Sequence, residues 1–450
     1  MMHRRDMLRL LATAIPAAGA AVAEPDFTLR IAPVTVELAP KRVVKTTGYN
    51  GSSPGPLLRM REGQMVAIDV INETGSPNLV HWHGLHIPSQ VDGSMEEETP
   101  MVPAHRKRRY SFNATPAGTR WYHTHTNAGR DLKRATYTGE FGFLFIEPAQ
   151  NAAQYDQEIF LALKEWDPYL TTAGEDEGLD VGYKYFSIND RALGHGEPVR
   201  VKPGQRVLFR ILNASATMHR RIGCAGHQFR VVALDGNPVP HPAATDALEL
   251  GPAERVDAIV EMSRPGVWVL GDSNDHDREA GMGIVIEYSG QTGAPRWIAP
   301  TDPWDYTAFG NSSTSAGQAQ GIPAAIPLVI PLVIEKKFAG TRWMDKWTIN
   351  GKEFPKTDTI KVQPNRHYRL VFDNRSDEAH PLHLHRHSFE LTKIAGKATS
   401  GVRKDVVVVQ PKSVIEADFT ANNPGPTLFH CHQQMHMDYG FMNLIDYDKS

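Results

Sequence analysis

The chain of 450 residues contains only two cysteines, Cys224 and Cys431. That excludes a disulfide framework as the source of its stability, and at this length ample core can form without one. Beyond residue 23 no apolar run is long enough to cross a membrane as a helix. Charge is nearly balanced: 48 Lys and Arg stand against 51 Asp and Glu, for a formal net charge of −3. This excludes the strongly basic face of a nucleic-acid binder. The one local basic run, His105-Arg106-Lys107-Arg108-Arg109, reads as a solvated strand end. Long helical periodicity is nearly absent as well.

What is present has the punctuation of β structure. Alternating runs are separated by Gly, Pro and Asn/Asp turns. Three of them look alike: Gln64 to Asn72, Val207 to Asn213 and Tyr368 to Asn374. Each follows a turn segment and each ends in asparagine, which predicts three copies of one sandwich-sized unit. The units are placed at 24–150, 151–300 and 323–450, with 301–322 as a linker whose Asn311 to Gly321 stretch is rich in Ser, Gly, Gln and Ala. The first 23 residues read as a signal peptide. Arg4-Arg5-Asp6-Met7-Leu8 is a twin-arginine-like start, and Ala21-Val22-Ala23 supplies the small-residue cleavage pattern. A periplasmic or secreted protein is expected.

Four His-X-His pairs carry the chemistry: His81-Trp82-His83, His123-Thr124-His125, His383-Leu384-His385 and His430-Cys431-His432. On a strand, alternate side chains face opposite sides. His430 and His432 therefore point one way and Cys431 the other, so a single strand serves two sites. One such pair is weak evidence, but four, one of them split by a cysteine, are hard to explain as packing. His380 and His436 supply further imidazoles near Cys431. His₂Cys is the donor set of blue-copper electron-transfer centres, and imidazole suits copper. Zinc is the inorganic competitor, but it closes a tetrahedral site with far fewer histidines. Cys431 is thus needed as a thiolate ligand, and Cys224 reads as a small buried hydrophobe.

The segments His81-Trp82-His83-Gly84, Trp121-Tyr122-His123-Thr124-His125, His380-Pro381-Leu382-His383-Leu384-His385 and His430-Cys431-His432-Gln433-Gln434-Met435-His436 resemble the four copper signatures of the multicopper oxidases, the family that includes the laccases. The resemblance implies an all-β fold of three consecutive cupredoxin-like Greek-key β-sandwich domains and four copper ions. By the family's motif order, His380, Cys431 and His436 would hold a type 1 copper, and His81 and His383 a type 2 copper. His83, His123, His125, His385, His430 and His432 would hold a type 3 pair. The axial position of the type 1 site falls on Phe441, with Met442 as the rival one residue on. Asp92, in Val91-Asp92-Gly93, sits where the family places a proton-relaying acid; read from the residues alone, it is equally an Asp-Gly turn. A second acid beside the last motif is missing. Gln433, Gln434, Met435 and Met437 stand there, with Asp438 one place further as a weak candidate.

The leading function is therefore that of a laccase-like oxidase. It would take single electrons from a phenol or aromatic amine through the edge of His380 or His436 and reduce O2 to water. The alternative is a metallo-oxidase acting on Cu(I), Fe(II) or Mn(II). Cuprous oxidases of the family usually carry a methionine-rich insert, whereas here the 14 methionines are scattered and only Met435, Met437 and Met442 lie close together. A copper-free scaffold is disfavoured because every ligand is retained. All four motifs lie in one chain, so a monomer is expected to hold the complete set. The middle unit carries no such motif and reads as a spacer that contributes to the substrate rim.

Overall fold

The three similar runs form the strands Met65–Asn72, Arg206–Asn213 and His367–Asn374, and the terminal asparagine does the same work in each. Its side-chain N–H₂ donates to loop carbonyls: Ser76 and Val102 for Asn72, Met218 and Leu250 for Asn213, Glu378 and Val409 for Asn374. Its side-chain oxygen accepts from the residue two places on: Thr74, Ser215 and Ser376. Each asparagine thus satisfies buried backbone groups where a strand turns a corner. The repeat seen in the sequence is this corner, made three times.

The computed structural model describes residues 24–149, 154–172, 174, 177–311 and 327–448. The expected signal peptide at 1–23 and nearly all of the Ser/Gly/Gln/Ala-rich stretch lie outside the described residues. Six sheets pack as three face-to-face pairs: two of four strands in the first unit, and one of six with one of five in each of the other two. Strand order is the same in the second and third units. Both faces of Arg206–Asn213 are buried, whereas His367–Asn374 alternates between buried and half-buried residues. The difference arises because the middle unit is packed against the first: Arg210 on that strand meets Asp257 of its own unit and donates to Thr119 of the first at 3.0 Å. Residues just after the middle unit are also packed, with Tyr306 and Phe309 buried. No helix among the described residues is long and apolar enough to cross a membrane.

The shared topology explains why the middle unit lacks a metal centre of the Cys431 type. In the third unit Leu382 pairs with Cys431 across two strands; in the second, Ile222 pairs with Asp272 in the same place. Arg220 then stands where His380 stands, Asp272 where Cys431 stands, and Asp277 where His436 stands. Arg220 reaches Asp272 at 3.1 Å and Asp277 at 2.5 Å, and Glu165 completes the buried group. An ion-pair cluster fills the place of a metal site.

Candidate metal centres

The first centre is built on the strands His380–Leu384 and Thr427–Cys431 and the short helix Gln434–Asp438. The sulfur of Cys431 lies 3.7 Å from His380 Nδ1 and 3.5 Å from His436 Nδ1, and all three residues are buried. Burial pushes the Cys431 thiol well above the ordinary thiol range, so a cation is needed to hold the thiolate. The repeated asparagine corner orients His380. Ser376 Oγ donates to Asn374 Oδ1 at 2.8 Å and accepts from His380 Nε2 at 2.8 Å, which leaves Nδ1 bare and facing the sulfur. His436 Nε2 instead meets the Glu378 carboxylate at 3.2 Å. His436 lines a cavity of about 220 Å³ bounded also by Glu177, Asp180, Lys336, Asp345, Asp377 and Trp347.

The rings of Phe441 and His380 are 5.0 Å apart between centroids, and Phe441 shares a hydrophobic cluster with Cys431. Met442 pairs with His430 across the strands and packs instead with Leu428 and Met437. Strand alternation therefore turns Phe441 toward the Cys431 side and Met442 away from it.

The second centre gathers the other eight histidines, four from each of the first and third units. His83 Nδ1 lies 3.4 Å from His123 Nε2, His81 Nε2 lies 3.4 Å from His383 Nε2, and His385 Nε2 lies 3.0 Å from His430 Nε2. In each of these six rings the far nitrogen is bound to an oxygen acceptor. His81 Nδ1 donates to Asp92 O, His123 to Thr124 O, His383 to Asp405 O and His430 to Cys431 O; His83 Nε2 donates to Asp405 Oδ1 and His385 Nδ1 to Asp92 Oδ2. Once the far nitrogens carry the protons, the facing nitrogens hold lone pairs only. His125 Nε2 and both ring nitrogens of His432 are buried with no hydrogen-bond partner. Lone pairs converging on one another in a buried space are unfavourable unless cations lie between them. Burial holds all eight imidazoles below the ordinary histidine range, His81 and His125 at about 4, so they stay neutral and ready to ligate.

By ring contact the eight form one continuous cluster. His83 stacks on His383 at 3.8 Å and His81 on His385 at 4.0 Å between centroids. The rings of His83 and His123 lie within 5.2 Å of His432, and those of His385 and His430 within 5.3 Å of His125. All eight histidines expected from the sequence to ligate are brought together here. Each pair His430/His432 and His81/His83 faces this centre, while Cys431 faces the other.

Asp92 is fully buried and lies behind the cluster, its Oδ2 2.9 Å from His385 Nδ1 and 3.0 Å from His81 Nδ1. Burial raises its carboxyl to about 7. Glu97 was not identified from sequence. Its Oε2 meets His385 Nδ1 at 3.0 Å beside Asp92, and burial with the neighbouring Asp92 carboxylate holds it well above the ordinary range. Two buried carboxyls this close retain a proton between them. Asp438 lies elsewhere: it accepts from the Ala128 and Gly129 amides at 2.9 and 2.7 Å and fastens the loop after His125. His387 contacts Tyr447 OH rather than the Cys431 centre. Cys224 is buried and unpaired, its thiol pushed up to about 12 by burial.

Three sequence profiles, each described as multicopper oxidase, match residues 30–151, 158–290 and 331–449. The chain is 29% identical to the multicopper oxidase MmcO of Mycobacterium tuberculosis, over 93% of this chain and 86% of that one. Among solved structures it superimposes on the laccase of Botrytis aclada with a TM-score of 0.75 at 19% identity, covering 93% of this chain and 87% of that one. A metallo-oxidase from Campylobacter jejuni gives a TM-score of 0.72 at 21% identity, covering 94% and 91%. With three matched segments spanning most of its length and two centres of the matching donor chemistry, this chain belongs to the laccase-like multicopper oxidase family and is a copper-binding oxidoreductase that uses O2.

Proposed function

We propose that the protein is a laccase-type oxidase of phenols and aromatic amines, with one copper at His380, Cys431 and His436 and three at the histidine cluster. In the cluster, His81 and His383 take the type 2 ion, and His83, His123, His125, His385, His430 and His432 take the type 3 pair. Copper supplies one-electron transfer at the cysteine centre and reduction of O2 to water at the cluster. The rest is done by the chain's own residues. The observation that carries the reading is the Glu378 carboxylate, 3.2 Å from the His436 edge in an open cavity. A phenol O–H or aromatic amine N–H placed there can hydrogen-bond to Glu378, which His436 and Lys336 hold ionised, and so be oriented as it gives its electron through His436. Cys431 is joined by single peptide links to His430 and His432, so a short covalent route connects the centres. Asp92 and Glu97 keep a proton behind His385. Export through the segment at 1–23 to the periplasm or beyond, and a monomeric holoenzyme, complete the reading.

Glu378→Gln tests it. Losing a charge-assisted hydrogen bond to the donor is expected to lower kcat/KM for a methoxyphenol by about ten- to a hundredfold. Ferrocyanide, which has no proton to lose, should be oxidised about as fast as by the native enzyme. Equal losses for both donors would sink the role of Glu378. A second reading is favoured by the same cavity. Glu177, Asp180, Asp345 and Asp377 line it beside Lys336, which pairs with Asp345 and Glu378 and leaves the cavity net acidic, and the Campylobacter jejuni structure with the same fold is a metallo-oxidase.

Phe441, whose ring lies 5.0 Å from that of His380, is proposed to face the copper that His380, Cys431 and His436 would hold. A phenyl ring cannot donate to the metal, which favours the reduced ion and a high potential. Phe441→Met is expected to lower the midpoint, read by redox titration of the blue absorption, by more than about 59 mV, one tenfold step for a one-electron couple. An unchanged midpoint, or thioether ligation in the native protein, would remove Phe441 from this role.

A further inference from the structure

The middle unit supplies no histidine to either centre, yet it reaches the cluster through one carboxylate. Asp405, in the third unit, is fully buried. Its Oδ1 accepts from His83 Nε2 at 3.0 Å and from Arg255 Nη1 at 2.7 Å; its Oδ2 accepts from Arg255 Nη2 at 2.6 Å and from Arg120 Nη1 at 3.3 Å. Its backbone carbonyl accepts from His383 Nδ1 at 2.8 Å. His83 and Arg120 belong to the first unit, Arg255 to the middle one and Asp405 to the third, so the three units meet at this group. A second middle-unit residue, Asp235, holds the backbone in place: its Oδ2 accepts from the amides of Asp405 at 3.2 Å and Val406 at 3.1 Å.

The surrounding backbone leaves room for this junction. A Cβ on Gly84, directly after His83, would lie 2.7 Å from Asp405 Oδ2 and 2.9 Å from Arg255 Nη2, so a side chain there would displace both. Where the first and middle units touch beside it, a Cβ on Gly118 would fall 1.9 Å from Gly236 O. Both glycines have positive φ, at 84° and 116°, where a larger residue is strained as well as crowded.

We propose that Arg255 and Asp235 make the middle unit the positioning element of the histidine cluster. This rests on the reading that three coppers occupy that cluster. A bidentate guanidinium fixes the Asp405 carboxylate in plane. The fixed carboxylate accepts the His83 Nε2 proton, so Nδ1 is the nitrogen left to ligate, and the adjoining carbonyl does the same for His383. Copper loading of the cluster then depends on the Arg255–Asp405 junction, whereas His380, Cys431 and His436 all belong to the third unit and none of them bonds to that junction.

The test is copper titration of the full-length protein and two variants, followed by blue absorption for the cysteine centre, by paramagnetic resonance for the type 2 ion and by total copper. Arg255→Lys keeps the charge and loses the fork; Asp405→Asn puts an amide N–H₂ against a buried donor. Arg255→Lys is expected to keep the blue centre and the apoprotein unfolding midpoint of the native chain; Asp405→Asn keeps the blue centre but lowers the midpoint, because Arg120 and Arg255 lose their buried counter-charge. Cluster affinity should fall about ten- to a hundredfold in both, the usual effect of removing a partner that orients a metal ligand. A full complement bound at native affinity by Arg255→Lys would overturn the proposal. So would parallel loss of copper from both centres together with a lowered midpoint in Arg255→Lys, because that marks a merely structural residue. If the native chain itself bound only the Cys431 copper, the cluster assignment would fall first and the proposal with it. No electron donor enters these measurements, so failure of the phenol reading leaves them intact.

Discussion

Asp92→Asn is expected to lower O2-dependent turnover by about two to four orders of magnitude, the usual contribution of a positioned acid or base, while blue absorption and, at saturating copper, copper content stay at native levels. The native carboxylate accepts from His385 Nδ1 at 2.9 Å and lies beside Glu97. An amide in that place cannot take up a proton and pass it on. Glu97→Gln is the sharper companion. Because burial beside Asp92 favours the protonated form of Glu97, glutamine imitates that form and should disturb the fold little, yet it removes the exchangeable proton. Turnover should drop in this variant too, less than for Asp92→Asn if Asp92 is the nearer relay. Copper analysis and steady-state oxygen uptake check both. Native turnover in Asp92→Asn would reduce the residue to the turn-former its Asp-Gly sequence also suggests.

Arg220→Ala is expected to cost the middle unit about 3–5 kcal/mol, because removing one partner of a buried ion cluster leaves the others uncompensated. Three carboxylates, Glu165, Asp272 and Asp277, face this one guanidinium at 2.5–3.1 Å. Without it they must either stay charged in an apolar interior or take up protons, and both are costly near neutrality. The Cys431 centre lies in the other six-plus-five sandwich and should keep its blue absorption at temperatures where the middle unit is still folded. Chemical denaturation with separate probes for the units is the appropriate measurement, since a chain of three units need not unfold in two states. A loss below about 1 kcal/mol would mean that Arg220 is replaceable and that the ion cluster only fills space.

The proposed metal ligands are legible in the sequence because strand alternation maps His-X-His onto one face without further information. The same rule placed Cys431 on the opposite face and separated Phe441 from Met442. The repeated asparagines were legible as a repeat, although their bonding and the use of Asn374 to orient His380 through Ser376 required coordinates. Glu97 was hidden among three consecutive glutamates, Glu96, Glu97 and Glu98. A single 3-10 turn, Met95–Glu97, decides which of them is buried. Glu378 and Asp405 were hidden because their partners are chosen across strands and units; Arg255 and Asp405 are 150 residues apart. The middle unit reads as a spacer in the sequence because it has no His-X-His motif, and docking contacts between units leave no local motif.

A four-electron oxidase fed by phenolic donors, as proposed for this protein, is tested most directly by oxygen uptake of the copper-loaded protein with a methoxyphenol, compared with Cu(I) and Fe(II), while monitoring peroxide. Rapid uptake with the phenol is expected, one O2 consumed for every four electrons taken and no peroxide released, with little uptake driven by either metal ion. Rapid uptake with Cu(I) or Fe(II) and little with the phenol would contradict it, and would make the acidic cavity at His436 a metal-ion site.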